Sequence, residues 1–205
     1  MLNNLNKQEI DLFTRLNSPE KIQDFLDNLK YNYCKRKYVC KSPRRLIRLP
    51  DSKRKAHCLD GALFAAAAQR VNGKPPLMME LVGFNENYHF IAPFKYKGLW
   101  GAMGHSRTYI LKWRDPIYKS TRELALSYFP VFIKNGNLVL KSYSEPVDIS
   151  CFDSMNWMTS EKCLEELGNK FDIFPHFNIF NSSINIRDAE KKLEHSLIKH
   201  KMPKK

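Results

Sequence analysis

The sequence predicts an α+β fold, and three observations carry that expectation. Strand-like patterns are gathered in the middle of the chain between helical ones, rather than alternating with them as a doubly wound sheet requires. Tight-turn signals at Lys95-Tyr-Lys-Gly98 and Asn135-Gly136 join neighbouring strand candidates, which favours antiparallel pairing. The small-residue run Ala62-Leu-Phe-Ala-Ala-Ala-Ala68 marks a helix that neighbours can approach closely on several sides, and so a central, buried one. The 205 residues are 43% apolar, enough for one core without disulfides or a structural metal. A single domain over 1–205 is expected, with its core at about 18–150 and a helical extension over 151–205.

Each element has a local reason. Ser18-Pro19-Glu20 supplies a cap and a first-turn proline, and Ile22, Phe25, Leu26 and Leu29 follow at helical spacing, predicting a helix over 18–30. Residues 34–55 read as basic and irregular, with Pro43 and Pro50 as breakers. A helix then runs from about Cys58 to Val71; Asn72-Gly73 ends it, and Pro75-Pro76 prevents its resumption. Leu77–Val82 is a strand, and Tyr88–Phe94 and Leu99–Met103 are the arms of a hairpin. A third strand is expected over Thr108–Trp113. Ser120-Thr-Arg-Glu123 is a capping box opening a helix through Phe129. Val131–Ile133 and Leu138–Leu140 flank Asn135-Gly136 as a second hairpin. A short helix is expected after Thr159-Ser160 up to Gly168, and a last one from about Ile186.

Charge and composition narrow the function classes. Lys and Arg number 34 against 21 Asp and Glu, a net +13. Ten basic residues lie between Lys35 and Lys55 against Asp51 alone, and Lys191, Lys192, Lys199, Lys201, Lys204 and Lys205 crowd the end. Such density attracts nucleic acid, anionic headgroups or an acidic protein, and equally suits a solvated lysine-rich surface. Tyr31, Tyr33 and Tyr38 interleave with Lys35, Arg36 and Lys37 in the manner of single-strand binders, yet no compact nucleic-acid motif accompanies them. Gly98, Gly101 and Gly104 fall inside the hairpin, so they make no phosphate loop. The five cysteines (34, 40, 58, 151, 163) form no Cys-x-x-Cys pair, and no metal or organic cofactor is expected. The longest apolar run is seven residues against the roughly 20 of a membrane span. With no signal peptide at Met1-Leu-Asn-Asn, a cytoplasmic protein with reduced thiols is expected.

Candidate chemistry centres on two residues. A thiol at the front of the Cys58 helix would meet orphan N–H groups and the positive end of the dipole, both of which favour thiolate. The same N–H groups would hold the oxyanion of a tetrahedral intermediate. If the helix begins at Asp51-Ser52 instead, Cys58 lies in its second turn and that advantage fades. Alternation along Tyr88–Phe94 puts Tyr88, Phe90, Ala92 and Phe94 on an inward face and His89, Ile91 and Pro93 on the other, where a thiol-bearing helix would meet His89. A Cys58–His89 pair would make the sulfur a nucleophile and the imidazole its base, then the acid toward the leaving group. His57 and His105 read as surface residues, Asp60 as a dipole partner, and Trp100, Trp113 and Trp157 as core.

The segments Ser18–Gln23, Ala56-His-Cys-Leu-Asp-Gly-Ala62, Tyr88-His89, Leu99-Trp-Gly-Ala102, Arg114-Asp-Pro-Ile-Tyr118 and Arg122–Tyr128 together resemble the bacterial transglutaminase-like family of the papain/transglutaminase superfamily. The resemblance implies a papain-like cysteine-enzyme fold, with a central Cys-bearing helix packed on an antiparallel sheet between flanking helices. It also implies Cys58 as nucleophile, His89 as partner, and amide hydrolysis or acyl transfer through a thioacyl intermediate on a protein or peptide-like substrate. One departure stands out. The superfamily's third residue, usually Asp, lies four positions after a Trp, and four after Trp100 is Gly104. Hairpin register decides the substitute. A Tyr96-Lys97 loop sets His89 opposite Gly104 and leaves a backbone carbonyl or water to orient it; a three-residue loop ending in Gly98 brings His105. A Lys97-Gly98 loop brings Ser106, the slightly favoured choice. The competing reading is a fold without the acid, kept as a basic binding module that uses Lys35–Lys55.

Overall fold

The computed structural model describes residues 4–33, 40–83, 88–129, 133–134, 137–138 and 140–179. The first helix, α1 (Lys7–Arg15), lies outside the elements expected from the sequence. Its start is a capping box: Asn6 accepts from the Glu9 N–H and Glu9 accepts from the Asn6 N–H, both at 2.9 Å. Ser18 caps α2 (Pro19–Asp27), which buries Ile22, Gln23 and Leu26.

Pro43 does not break structure. It opens a third helix, α3 (Pro43–Arg48), because a residue at the first helical position has no N–H bond to lose, and Ser42 Oγ accepts from the Arg45 N–H. Around that helix, β1 (Lys30–Tyr31) pairs in parallel with β2 (Lys55–Ala56), which carries Tyr31 to the entrance of the next helix.

That helix, α4 (Cys58–Val71), has the bounds the sequence predicts, and the alternative start at Asp51 is only a separate 3-10 turn over Asp51–Lys53. Every residue from Cys58 to Gln69 is buried, and Ala65–Ala68 are sealed. The alanines let α1, α2 and α3 pack against α4 from outside while the sheet covers its remaining side.

The main sheet follows. Its strands are β3 (Leu77–Gly83), β4 (Tyr88–Tyr96), β5 (Leu99–Met103) and β6 (Arg114–Tyr118), then, after α5 (Thr121–Leu126), β9 (Leu140–Ser144), β10 (Val147–Asp148) and β11 (His176–Asn178). The order is β11-β9-β3-β4-β5-β6, with β10 also on β3, and every pairing is antiparallel. A small hairpin, β7 (Ile133–Lys134) and β8 (Asn137–Leu138), pairs Ile133 with Leu138; the expected turn residues Asn135 and Gly136 lie outside the described residues. So does the helix expected from Ile186. The strand expected over Thr108–Trp113 is displaced: Tyr109–Leu111 is a 3-10 turn, and extended chain begins at Arg114. Because β6 is the outer strand, Pro116 inside it removes no ladder bond that a neighbour needs. The helix expected up to Gly168 is reduced to α6 (Glu165–Asn169).

The two sheet faces carry separate cores. Phe90, Ala92, Phe94, Met78 and Met103 pack with α4, Trp157 and Phe171. Ile91, Met79, Leu81 and Ala102 pack on the other face with Leu124, Ala125 and Tyr128 of α5 and its C-terminal turn. The aromatic side of β4 therefore receives the Cys-bearing helix, whereas the sequence placed that helix on the His89 side. Among the described residues no helix is long and apolar enough to cross a membrane.

Candidate active site

Cys58 is the first residue of α4, and His57 is its cap residue. Asp60 fixes this start from inside: its carboxylate accepts from the His57 N–H at 2.6 Å and from the Lys41 N–H, and the side chain has no solvent exposure. Its charge therefore serves the backbone, as the sequence reading supposed, although it also disfavours a thiolate at Cys58. The Cys58 sulfur is buried, with 3% of the residue exposed. The main-chain N–H groups of Phe90, Leu59 and Cys58 favour its ionised form, but burial outweighs them and pushes the thiol up to about 12. At rest this sulfur holds its proton.

The ring bonded to the sulfur is that of its chain neighbour: Sγ lies 3.2 Å from His57 Nδ1. Burial lowers the His57 pKa against the opposing pull of Asp60. No hydrogen bond joins Cys58 to His89 among the described residues. What connects them is the strand itself, because the Phe90 N–H that meets the sulfur belongs to the residue directly after His89.

His89 is also buried, and desolvation lowers it from 6.5 to about 4, so its ring is neutral. Nε2 lies 2.8 Å from the Leu111 carbonyl oxygen. A carbonyl only accepts, so Nε2 carries the proton and Nδ1 keeps the lone pair. The ring is 6.2 Å from that of Tyr128, over which the Arg114 guanidinium lies at 3.9 Å. Arg114 also donates to Ser127 Oγ and to the Ile110 carbonyl, tying the 3-10 turn to α5.

The group that meets His89 Nε2 is the Leu111 carbonyl and not a carboxylate. The hairpin turns at Lys97 and Gly98, both with positive φ, and pairs Ala92 with Met103. This is the register that would set Ser106 opposite His89, but the β4–β5 ladder ends at Met103 before reaching it. Ser106 Oγ instead accepts from the Thr108 N–H at 3.2 Å. A side chain at Gly104 would point its Cβ to within 3.5 Å of the Leu111 oxygen and 3.1 Å of the Lys112 oxygen. The carbonyl that holds His89 thus stands where an aspartate from position 104 would reach. It is kept there by the turn bonds Leu111 N–H to Thr108 and Lys112 N–H to Tyr109, and by a Lys112–Asp27 ion pair at 2.9 Å. Gln23 of α2 holds Gly104 itself, donating to its carbonyl and accepting from its N–H, both at 3.0 Å.

His105 is not a surface residue; 1% of it is exposed. It packs on the first turn of α4, where a methyl group on Gly61 would come within 2.4 Å of His105 Cβ. The carbonyls of Leu26 and Lys30 favour its charged form but make no well-formed hydrogen bond, and burial holds it down at about 4. Tyr31 stacks on His105 at 5.9 Å and lies 5.4 Å from His57. Sequence reasoning missed Tyr31, and it tied a backbone carbonyl at His89 to the Tyr96-Lys97 register rather than to the Lys97-Gly98 one that forms; Gly61 inside a helix was the available hint of close approach there. Trp157 is sealed in the core as expected, while Trp100 and Trp113 are half-buried. Among the described residues no group of three or more His, Cys, Asp or Glu side chains gathers as a metal ion requires.

No protein-family model matches the chain, and no curated protein matches it.

Proposed function

We propose that the chain is a cysteine-dependent acyltransferase or amide hydrolase of transglutaminase-like type, with Cys58 as nucleophile and His89 as its proton partner. The observation that carries this reading is the Leu111–His89 bond, which leaves Nδ1 as the basic nitrogen of a fixed, neutral ring. That ring stands on the strand whose main chain meets the sulfur. Since a thiol near 12 and an imidazole near 4 do not exchange a proton at rest, the transfer runs together with C–S bond formation. Sulfur attacks the amide carbonyl carbon as its proton passes to His89 Nδ1, a step that requires the two side chains, which share no hydrogen bond at rest, to meet in the substrate complex. The N–H groups at the front of α4 hold the oxyanion. The imidazolium then returns the proton to the leaving nitrogen as the C–N bond breaks, giving a thioester and a free amine. Water, or a second amine, attacks the thioester with Nδ1 taking its proton, and the thiol is restored. Ser106 has no part in this sequence of steps, because the orienting role falls to Leu111.

The test uses p-nitrophenyl acetate as acyl donor and mass spectrometry to locate the acetyl group. Acetylation of Cys58 that falls at least about 100-fold in His89→Gln supports the reading. Acetyl groups on the exposed Cys151 and Cys163 with none on Cys58 overturn it.

The second reading, a basic binding module, is favoured by the burial and neutrality of that same sulfur. It requires salt-dependent binding of a single-stranded oligonucleotide that is lost when Lys53, Arg54 and Lys55 are neutralised together; the absence of such binding removes it.

A further inference from the structure

A cavity of about 650 Å³ opens at the far end of α4, between that helix, the start of α2 and the β4–β5 hairpin. It lies ten residues along the helix from Cys58, or about 15 Å at 1.5 Å per residue, and is separate from the candidate active site. Its volume falls in the range of small-molecule sites, and its walls include Ile22, Ala68, Phe94 and Trp100.

Two polar features give the cavity a direction. Gln69 is more than nine-tenths buried and lines it. The amide nitrogen reaches only the Pro93 carbonyl, at 3.4 Å, and the amide oxygen has no hydrogen-bond partner among the described residues. That oxygen is not sealed from solvent, so a ligand N–H entering the cavity can reach it. At the mouth, the Lys95 ammonium lies 4.5 Å over the Trp100 ring, and Lys74 joins it on the lining against a single carboxylate, Glu20. The balance of charge there is positive.

We propose that this cavity is a binding site for a planar aromatic carboxylate bearing an N–H donor. The ring lies along Trp100 and Phe94, the N–H meets the Gln69 oxygen, and the carboxylate faces Lys95 and Lys74. The site needs no catalysis at Cys58, so its test is independent of the proposed function.

Indole-3-acetate carries all three features and serves as the probe, titrated by calorimetry into the full chain. Saturable 1:1 binding with Kd on the order of 0.1–1 mM is expected for a ligand of this size. Two comparison ligands separate the contributions: 1-methylindole-3-acetate, which lacks the donor, and 3-methylindole, which lacks the carboxylate. Gln69→Leu is expected to weaken indole-3-acetate about tenfold while leaving the N-methyl compound unchanged. Lys95→Met is expected to weaken both carboxylates and leave 3-methylindole unchanged. Absence of saturable binding to the parent chain overturns the proposal, and so does binding that neither substitution alters. Unfolding midpoints of both variants, measured alongside, confirm that a lost signal comes from a folded chain.

Discussion

Acid should unfold this protein in a window set by two histidines. His89 and His105 are both buried, and both are held at about 4 against an ordinary value of 6.5. In the folded chain they stay neutral down to about pH 4, whereas in the unfolded chain each binds a proton as pH falls through 6.5. Across that window the unfolded state carries about two more protons, so stability rises with pH and is lost on acidification. At 1.36 kcal/mol per pH unit for each proton, the loss is on the order of 3 kcal/mol per ring and roughly 7 for the two. That is comparable with the whole stability of an ordinary domain, about 5–15 kcal/mol. Glu9 and Asp153, held low mainly by the hydrogen bonds of Arg44 and Arg70, add a further loss as pH falls through the carboxylate range. Glu80, raised by burial, works the other way. The assay is urea unfolding at pH values from about 7.5 down to about 4.5, with stability plotted against pH. His105→Phe keeps a ring against Gly61 and Tyr31 while removing the titrating nitrogens, so it should halve the slope. A wild-type slope of one proton or less, or an unchanged slope in His105→Phe, would refute this account.

Two further predictions come from close approaches. Gly61→Ala brings a methyl to 2.4 Å from His105 Cβ, so it should cost about 2–3 kcal/mol in urea unfolding and slow Cys58 acetylation as the first turn of α4 shifts. Gly104→Asp, which would put a carboxylate four positions after Trp100, should lower both stability and Cys58 acetylation. Its Cβ meets the Lys112 carbonyl at 3.1 Å, and its carboxylate would face two carbonyl oxygens; faster acetylation in that variant would show that Leu111 does not fill the orienting role.

The sequence was most legible where one residue type has one physical use. Asn72-Gly73 closes α4 because Gly73 takes a positive φ, and Lys97-Gly98 turns the hairpin for the same reason. Pro43 was misread because proline both breaks a helix and starts one; Ser42 before it repeats the Ser18-Pro19 signature that was read correctly. β6 was misplaced because Tyr109, Ile110 and Leu111 are strand-like in type, yet a 3-10 turn uses them to place a carbonyl. Every residue has a carbonyl, so the Leu111–His89 bond leaves no mark in residue identity. Cys58 at the head of its helix could be read from spacing. Its burial, and its bond to His57 in place of His89, depend on how the helix seats against β4, which periodicity does not record.

Gln23 shows how a helix can stand in for a missing strand. Where β5 leaves the sheet, the Gln23 amide presents one donor and one acceptor to Gly104, the pair of contacts a neighbouring peptide unit would have offered. Glutamate lacks the donor, leucine lacks both partners, and asparagine is a methylene short. No other side chain offers both contacts at that reach, so replacing Gln23 would unlatch the Gly104 end of the hairpin from the helical layer.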